Sequence, residues 1–206
     1  MRARIDRFYE SLGQPIAARS RWALALAVGP LLLAALLPLW SLHFTAPQYP
    51  NGLDLHVYAH TIRGGNDGRD LPEINLLNHY IGMRRLDRAE FADLDFMPFA
   101  IGALALLALR VAALGDVRSL IDLAMLTTYF GLFSLGRFTY KLYTYGHDLD
   151  PTAPIRMPGF MPPVLGTAEL GNFTVSSLPG GGAALIGMFA AVVLLLALWH
   201  VRRAWR

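Results

Sequence analysis

The sequence predicts an all-α membrane protein: four transmembrane helices with a small mixed strand/helix extracytoplasmic loop region. Three observations predict it. The 206-residue chain is 54% hydrophobic and only 16% charged, whereas a soluble domain keeps about 25% of its residues charged. Four apolar stretches have the roughly 20 residues that a helix needs to cross the hydrocarbon core. The arginines gather in alternate connections between those stretches, as they do when one face of a bilayer holds them back.

Residues 1–21 carry an apolar stripe, Ile5, Phe8, Tyr9 and Leu12, on a basic background. That pattern suits an amphipathic helix on an anionic cytoplasmic surface. The first span, 22–41, holds no charge. It exceeds the ~7–15 apolar residues of a signal peptide and precedes no small-residue cleavage site, so it reads as a retained helix, bent by Pro30 and Pro38. A periplasmic loop, 42–95, leads to the second span, 96–114. A cytoplasmic loop, 115–119, leads to the third span, 120–138. The second periplasmic loop, 139–182, ends in Pro179-Gly180-Gly181-Gly182, a flexible approach to the fourth span, 183–201. Residues 202–206 form a cytoplasmic tail. Ala183, Gly187 and Ala191 give the fourth span a small-residue packing stripe.

Segments 1–21, 110–118 and 202–206 hold ten basic residues against three acidic ones, while 42–95 and 139–182 hold seven basic against eleven acidic. The excess of arginine places both termini in the cytoplasm and both large loops outside. Asp122 and Arg137 lie 15 residues apart in the third span, about 22 Å along a helix, and cannot pair with each other. Each sits near an interface, where a charge reaches water.

In the first outer loop Leu53, Leu55, Val57 and Ala59 alternate with Asp54, His56, Tyr58 and His60, the period of a half-buried strand. Gly64-Gly65-Asn66-Asp67-Gly68 reads as a turn. Asp70-Leu71-Pro72-Glu73 reads as a helix start, with the helix running to about Ile81 and Gly82 capping it. The chain has no cysteine, which excludes disulfides, thiolate metal sites and a cysteine nucleophile. It carries no P-loop, G-x-S-x-G or H-E-x-x-H motif, so it reads as a non-enzyme with no catalytic residue. A net charge of +3 with acidic outer loops speaks against a nucleic-acid surface.

Metal ligands are the remaining chemistry. His56 and His60 would stand about 6 Å apart on a helix but about 13 Å apart on the strand that the alternation favours, so they read as a solvated polar face. His79 and Met83 make a better pair, because a turn at Gly82 folds the thioether back toward the imidazole. Imidazole with thioether suits copper, and Asn75, four residues before His79, is placed to orient the ring. The competing reading is a histidine bonded to backbone and a methionine packed on the membrane.

Three blocks then carry a resemblance: Ala46-Pro47-Gln48-Tyr49-Pro50-x-Gly52-Leu53, Asn75-x-Leu77-Asn78-His79-Tyr80-Ile81-Gly82-Met83, and Pro162-Pro163-x-x-Gly166 with Asn172-Phe173-Thr174. With the topology, they resemble the small polytopic membrane proteins of nos-type gene clusters, which encode nitrous-oxide reductase, a periplasmic copper enzyme, and its maturation factors. The resemblance covers both outer loops and all four spans, and its marker is the N-H-Y-I-G-M block, Asn78–Met83. The resemblance implies that the membrane is a bacterial inner (cytoplasmic) membrane and that the chain is an accessory protein of denitrification, supporting the respiratory copper enzyme by docking, copper handling or electron delivery. Nitrous-oxide reductase or a c-type cytochrome would be its partner, besides the lipid bilayer. Any copper would be contacted by His79 and Met83, with His60 as a further ligand; His56 lies outside the family's pattern. Two readings compete: a purely structural membrane subunit without metal, and a small-solute or ion transporter. The latter needs polar groups at mid-membrane, and there the spans offer only Thr127, Thr128, Tyr129 and Ser134.

Overall fold

The structure, a computed structural model, describes residues 9–170 and 173–204; Ile5 and Phe8 of the N-terminal stripe lie outside them. The elements follow one another as α1 (Ala18–Ala34), β1 (Trp40–Ala46), β2 (Tyr49–Val57), β3 (Ile62–Gly64), α2 (Asp70–Tyr80), α3 (Asp93–Leu114), α4 (Val117–His147), β4 (Gly166–Leu170), β5 (Phe173–Pro179) and α5 (Gly181–Ala204). Helices α1, α3, α4 and α5 pack side by side. At one end of this bundle sits an antiparallel sheet of order β3-β2-β1-β5-β4, backed by α2.

The all-α, four-span expectation is therefore corrected. The described residues are 59% helical and 17% strand, and among them three helices, α3, α4 and α5, are long and apolar enough to cross a membrane. The uncharged stretch 22–41 divides in two. Its helix, α1, stops at Ala34 after 17 residues, about 26 Å at 1.5 Å per residue. Pro38 has no N–H to donate and disfavours helical geometry at Leu37. From Trp40 onward the chain pairs on both sides, with β2 and with β5. Trp40, Leu42 and Phe44 are as apolar as a span, but they alternate with Ser41, His43 and Thr45. The second outer loop also departs from expectation, because it contributes β4 and β5 to the sheet.

Helix α4 begins at an N-cap, Asp116, whose carboxylate accepts from the Ser119 N–H (2.8 Å) and hydroxyl (2.7 Å). Its 31 residues extend about 46 Å, longer than the ~30 Å hydrocarbon core, so its last turns stand beside the sheet. Leu24, Leu31, Ile101, Leu120, Phe189 and Val193 form the buried centre of the bundle. Phe96, Phe99, Leu106, Phe133 and Leu195 point outward, each at least 66% exposed. Soluble monomers rarely expose so many large apolar side chains, and the exposure is consistent with a membrane protein.

A second core lies under the sheet, where Leu42, Leu53, Leu55 and Val175 meet Ile74 of α2. The buried Asp70 fixes α2 to the sheet, accepting from the Asp54 backbone N–H and the Asn66 side-chain amide, both at 2.8 Å. The Tyr49 hydroxyl adds a 2.6 Å bond to Glu73, and that bond holds the phenol's pKa above its ordinary value.

The strands β1 and β5, neighbours in the sheet, continue into the neighbouring helices α1 and α5. At the joint the Gly180 N–H donates to Leu39 (3.0 Å) and the Gly182 N–H to Pro38 (2.8 Å). A Cβ at Gly180 would overlap the Pro38 carbonyl, and one at Gly182 would come within 2.8 Å of two carbonyl oxygens, those of Ala34 and Leu37. The glycine run is thus a close-packed joint rather than the flexible approach expected.

At the opposite end of the bundle the Val117 N–H donates to Gln14 (3.0 Å) and Arg21 donates to Ala113 (2.8 Å). His200 meets Ser20 there at 3.1 Å. The start of α1, the α3–α4 turn and the last turns of α5 share this end, and they bring Arg19, Arg21, Arg118, Arg202 and Arg203 with them.

Candidate functional site

His79 is exposed on the last turn of α2, its ring 6.1 Å from that of Tyr80. The helix closes with Gly82 at φ 79°. The Met83 N–H reaches back to the Asn78 carbonyl (2.8 Å) and the Gly82 N–H to that of His79 (3.3 Å), the paired bonds of a left-handed helix stop. The imidazole is therefore open to water, and the half-buried Met83 borders the cavity described below. Asn75 does not orient the ring. Its amide donates to the Leu86 carbonyl (3.0 Å) and accepts from the Leu86 N–H (2.6 Å), which clamps the segment after the turn. His60 belongs to another segment, the exposed β2–β3 turn, where its carbonyl accepts from Arg88 (2.7 Å). Among the described residues no three His, Cys, Asp or Glu side chains gather into a group that could hold a metal ion. Copper held at His79 and Met83 would need donors from elsewhere.

The outward face of the sheet is polar across its width. On its paired strands His43 meets Asp54 (2.7 Å), Ser41 meets His56 (3.0 Å), and Thr167 meets Ser176 (2.9 Å). Registry sets Arg63 beside His56 and Ser176 beside His43. His56 thus belongs to this hydrogen-bonded face.

The inward face covers a cavity of about 630 Å³, within the ~300–1,000 Å³ of small-molecule sites. It lies beside a stretch of α4 that packs against no other element closely enough to be buried. Buried positions on α4 run through Val117, Leu120, Leu123, Ala124 and Thr127, then cease until Tyr145 and Gly146. The walls are Leu42, Phe44 and Val175 of the sheet, Leu77 of α2, Met97 and Ala100 of α3, Phe130 and Phe138 of α4, and Phe160. Water fills such a space poorly, since each molecule needs two to four polar partners. The space suits an apolar occupant.

Two cations border it. Arg137 is held by both oxygens of Asp93, Nε to Oδ1 at 3.1 Å and Nη2 to Oδ2 at 2.9 Å. Lys141, one turn further along α4, donates to the Glu90 carbonyl (2.6 Å) and stands 5.3 Å and 5.9 Å from the Phe91 and Tyr145 ring centres. Among the described residues no carboxylate pairs with it.

Sequence reasoning tested Arg137 only against Asp122 of its own helix. The available signal was depth: Asp93 opens α3 and Arg137 lies about 20 residues into α4, so two antiparallel helices bring them to one level. The cavity itself had no sequence signal, because part of its roof, Leu170, Phe173 and Val175, comes from strands hidden in the second loop. Comparison of the chain with protein-family models, curated proteins and solved structures finds no match.

Proposed function

We propose that this is an accessory protein of the bacterial inner membrane, its termini cytoplasmic and its sheet periplasmic, on which a respiratory copper enzyme of the nitrous-oxide reductase system docks. One observation carries the reading: a hydrogen-bonded polar sheet face, five strands wide, joined through close-packed glycines to helices that can cross a membrane. Such a face keeps its shape because most of its side chains already have partners, so a partner docking there orders little. The motif resemblance names the partner class, and the sidedness of the arginines supports the orientation. Docking is favoured over copper handling because His79, Met83 and His60 are not assembled into a ligand set. A structural role for the N-H-Y-I-G-M block has its own support, since Asn78 and the turn that follows it hold the backbone of residues 83 and 84.

The test uses the full chain in lipid nanodiscs and purified nitrous-oxide reductase. Direct binding is expected, weakened about tenfold or more by Ser176→Arg on the sheet face, and deletion of the gene should lower nitrous-oxide reduction by the host. Absence of binding, together with an unchanged reduction rate in the deletion strain, would overturn the proposal.

A further inference from the structure

We infer that the cavity beneath the sheet is a lipid site: it takes one acyl chain of an anionic phospholipid from the leaflet at the sheet end, with the lipid phosphate at Lys141. The inference does not depend on the docking partner or on which compartment the sheet faces.

Four observations converge on it. The cavity is walled mainly by apolar side chains, and along α4 it runs from Phe130 to Tyr145, the stretch over which that helix passes out of a ~30 Å hydrocarbon core. Its side between α3 and α4 faces lipid: Phe96 and Phe133, which line it, are 72% and 67% exposed. An acyl chain can therefore slide in laterally without crossing water.

The third observation is Lys141. Arg137 beside it is neutralised by Asp93, but Lys141 has only a backbone carbonyl and two aromatic faces. A cation beside apolar walls is stabilised by a full negative charge, and a lysine ammonium binds phosphate as a point charge. A neutral quinone head group offers no charge to meet it. The fourth is Gly131, which lines the cavity from α4 and has nothing within 4 Å of the position a Cβ would take. The position is exposed, so a larger side chain there meets open space on the lipid-facing side of the cavity rather than packed protein.

The experiment uses the full chain extracted in mild detergent and reconstituted in vesicles of phosphatidylcholine with or without phosphatidylglycerol. Bound lipid is read by native mass spectrometry, and thermal unfolding is followed in parallel. One phosphatidylglycerol per chain is expected, retained in preference to phosphatidylcholine and raising the unfolding temperature. Gly131→Trp, which places an indole at the open, lipid-facing side of the cavity, should keep the fold and abolish retention. Lys141→Gln should keep chain occupancy but reduce the preference for the anionic lipid about tenfold, the worth of one charge-assisted hydrogen bond. Equal retention of the two lipids by the unaltered chain would overturn the inference. So would undiminished retention in a folded Gly131→Trp variant, or an isoprenoid quinone in place of the phospholipid.

Discussion

Ser177 faces inward from β5 and is fully buried, at a position where the strand's alternation calls for an apolar side chain. Its hydroxyl accepts from the Trp40 indole N–H (2.8 Å) and donates to the Val164 carbonyl (3.0 Å). One small polar residue therefore ties the central strand, its neighbour and the segment before β4. Ser177→Ala removes both bonds and strands the indole N–H, so the variant should lose about 1–3 kcal/mol, measured as a lower unfolding temperature in detergent. A variant within ~0.5 kcal/mol of the parent would show that water replaces the hydroxyl. The same residue explains why β5 was not legible in the sequence. A strand that reads Phe173, Val175, Ser177 inside and Thr174, Ser176, Leu178 outside breaks the period-2 pattern on both faces. Gly82 was legible for the opposite reason: a left-handed stop after an apolar-periodic helix has few other solutions. His79 and Met83 were legible as donors, but their surroundings depended on segments far away in sequence.

At the scale of elements, the strand pattern of β2 and the helix after Asp70 could be read because alternation and a helix start are local. The division of 22–41 could not. Hydropathy sums over residues, and a strand buried on one face by Trp40, Leu42 and Phe44 contributes as much to that sum as a helix does. What distinguishes them is Pro38 and pairing with β5, more than 130 residues later. Helix α4 offers a test of a local signal. The Ser119 bonds hold the Asp116 carboxyl below its ordinary pKa. A group depressed in the folded state stabilises fully above its unfolded pKa of about 3.9 and loses that contribution as pH falls through the lower folded value. Asp116→Ala should cost about 1 kcal/mol at neutral pH. Asp116→Asn keeps a cap that does not titrate, so any stability gap between it and the parent should change only below about pH 4. A gap that changes instead between pH 6 and 8 would mean that another group governs this end of the bundle.

For the whole molecule, the structure makes two poles. One holds the sheet and the lipid-sized cavity; the other gathers Arg19, Arg21, Arg118, Arg202 and Arg203 around the α3–α4 turn. Three helices are able to cross a membrane; the proposed orientation sets the poles on opposite sides of it, with the second in the cytoplasm. The absence of cysteine from the whole sequence makes this directly measurable, since a single introduced thiol is the only target of a maleimide. Gln48, in the two-residue turn between β1 and β2, and Arg118, at the start of α4, are both exposed. In spheroplasts, Gln48→Cys should react with a membrane-impermeant maleimide, while Arg118→Cys should react only after the membrane is opened. The reverse pattern would invert the molecule, turning the sheet to the cytoplasm and removing the periplasmic enzyme as its partner. The lipid site would remain, now in the inner leaflet. Labelling of both thiols in intact spheroplasts would mean that α3, α4 and α5 do not cross the membrane at all, and the apolar belt of Phe96, Phe99 and Phe133 would then have to be covered by protein.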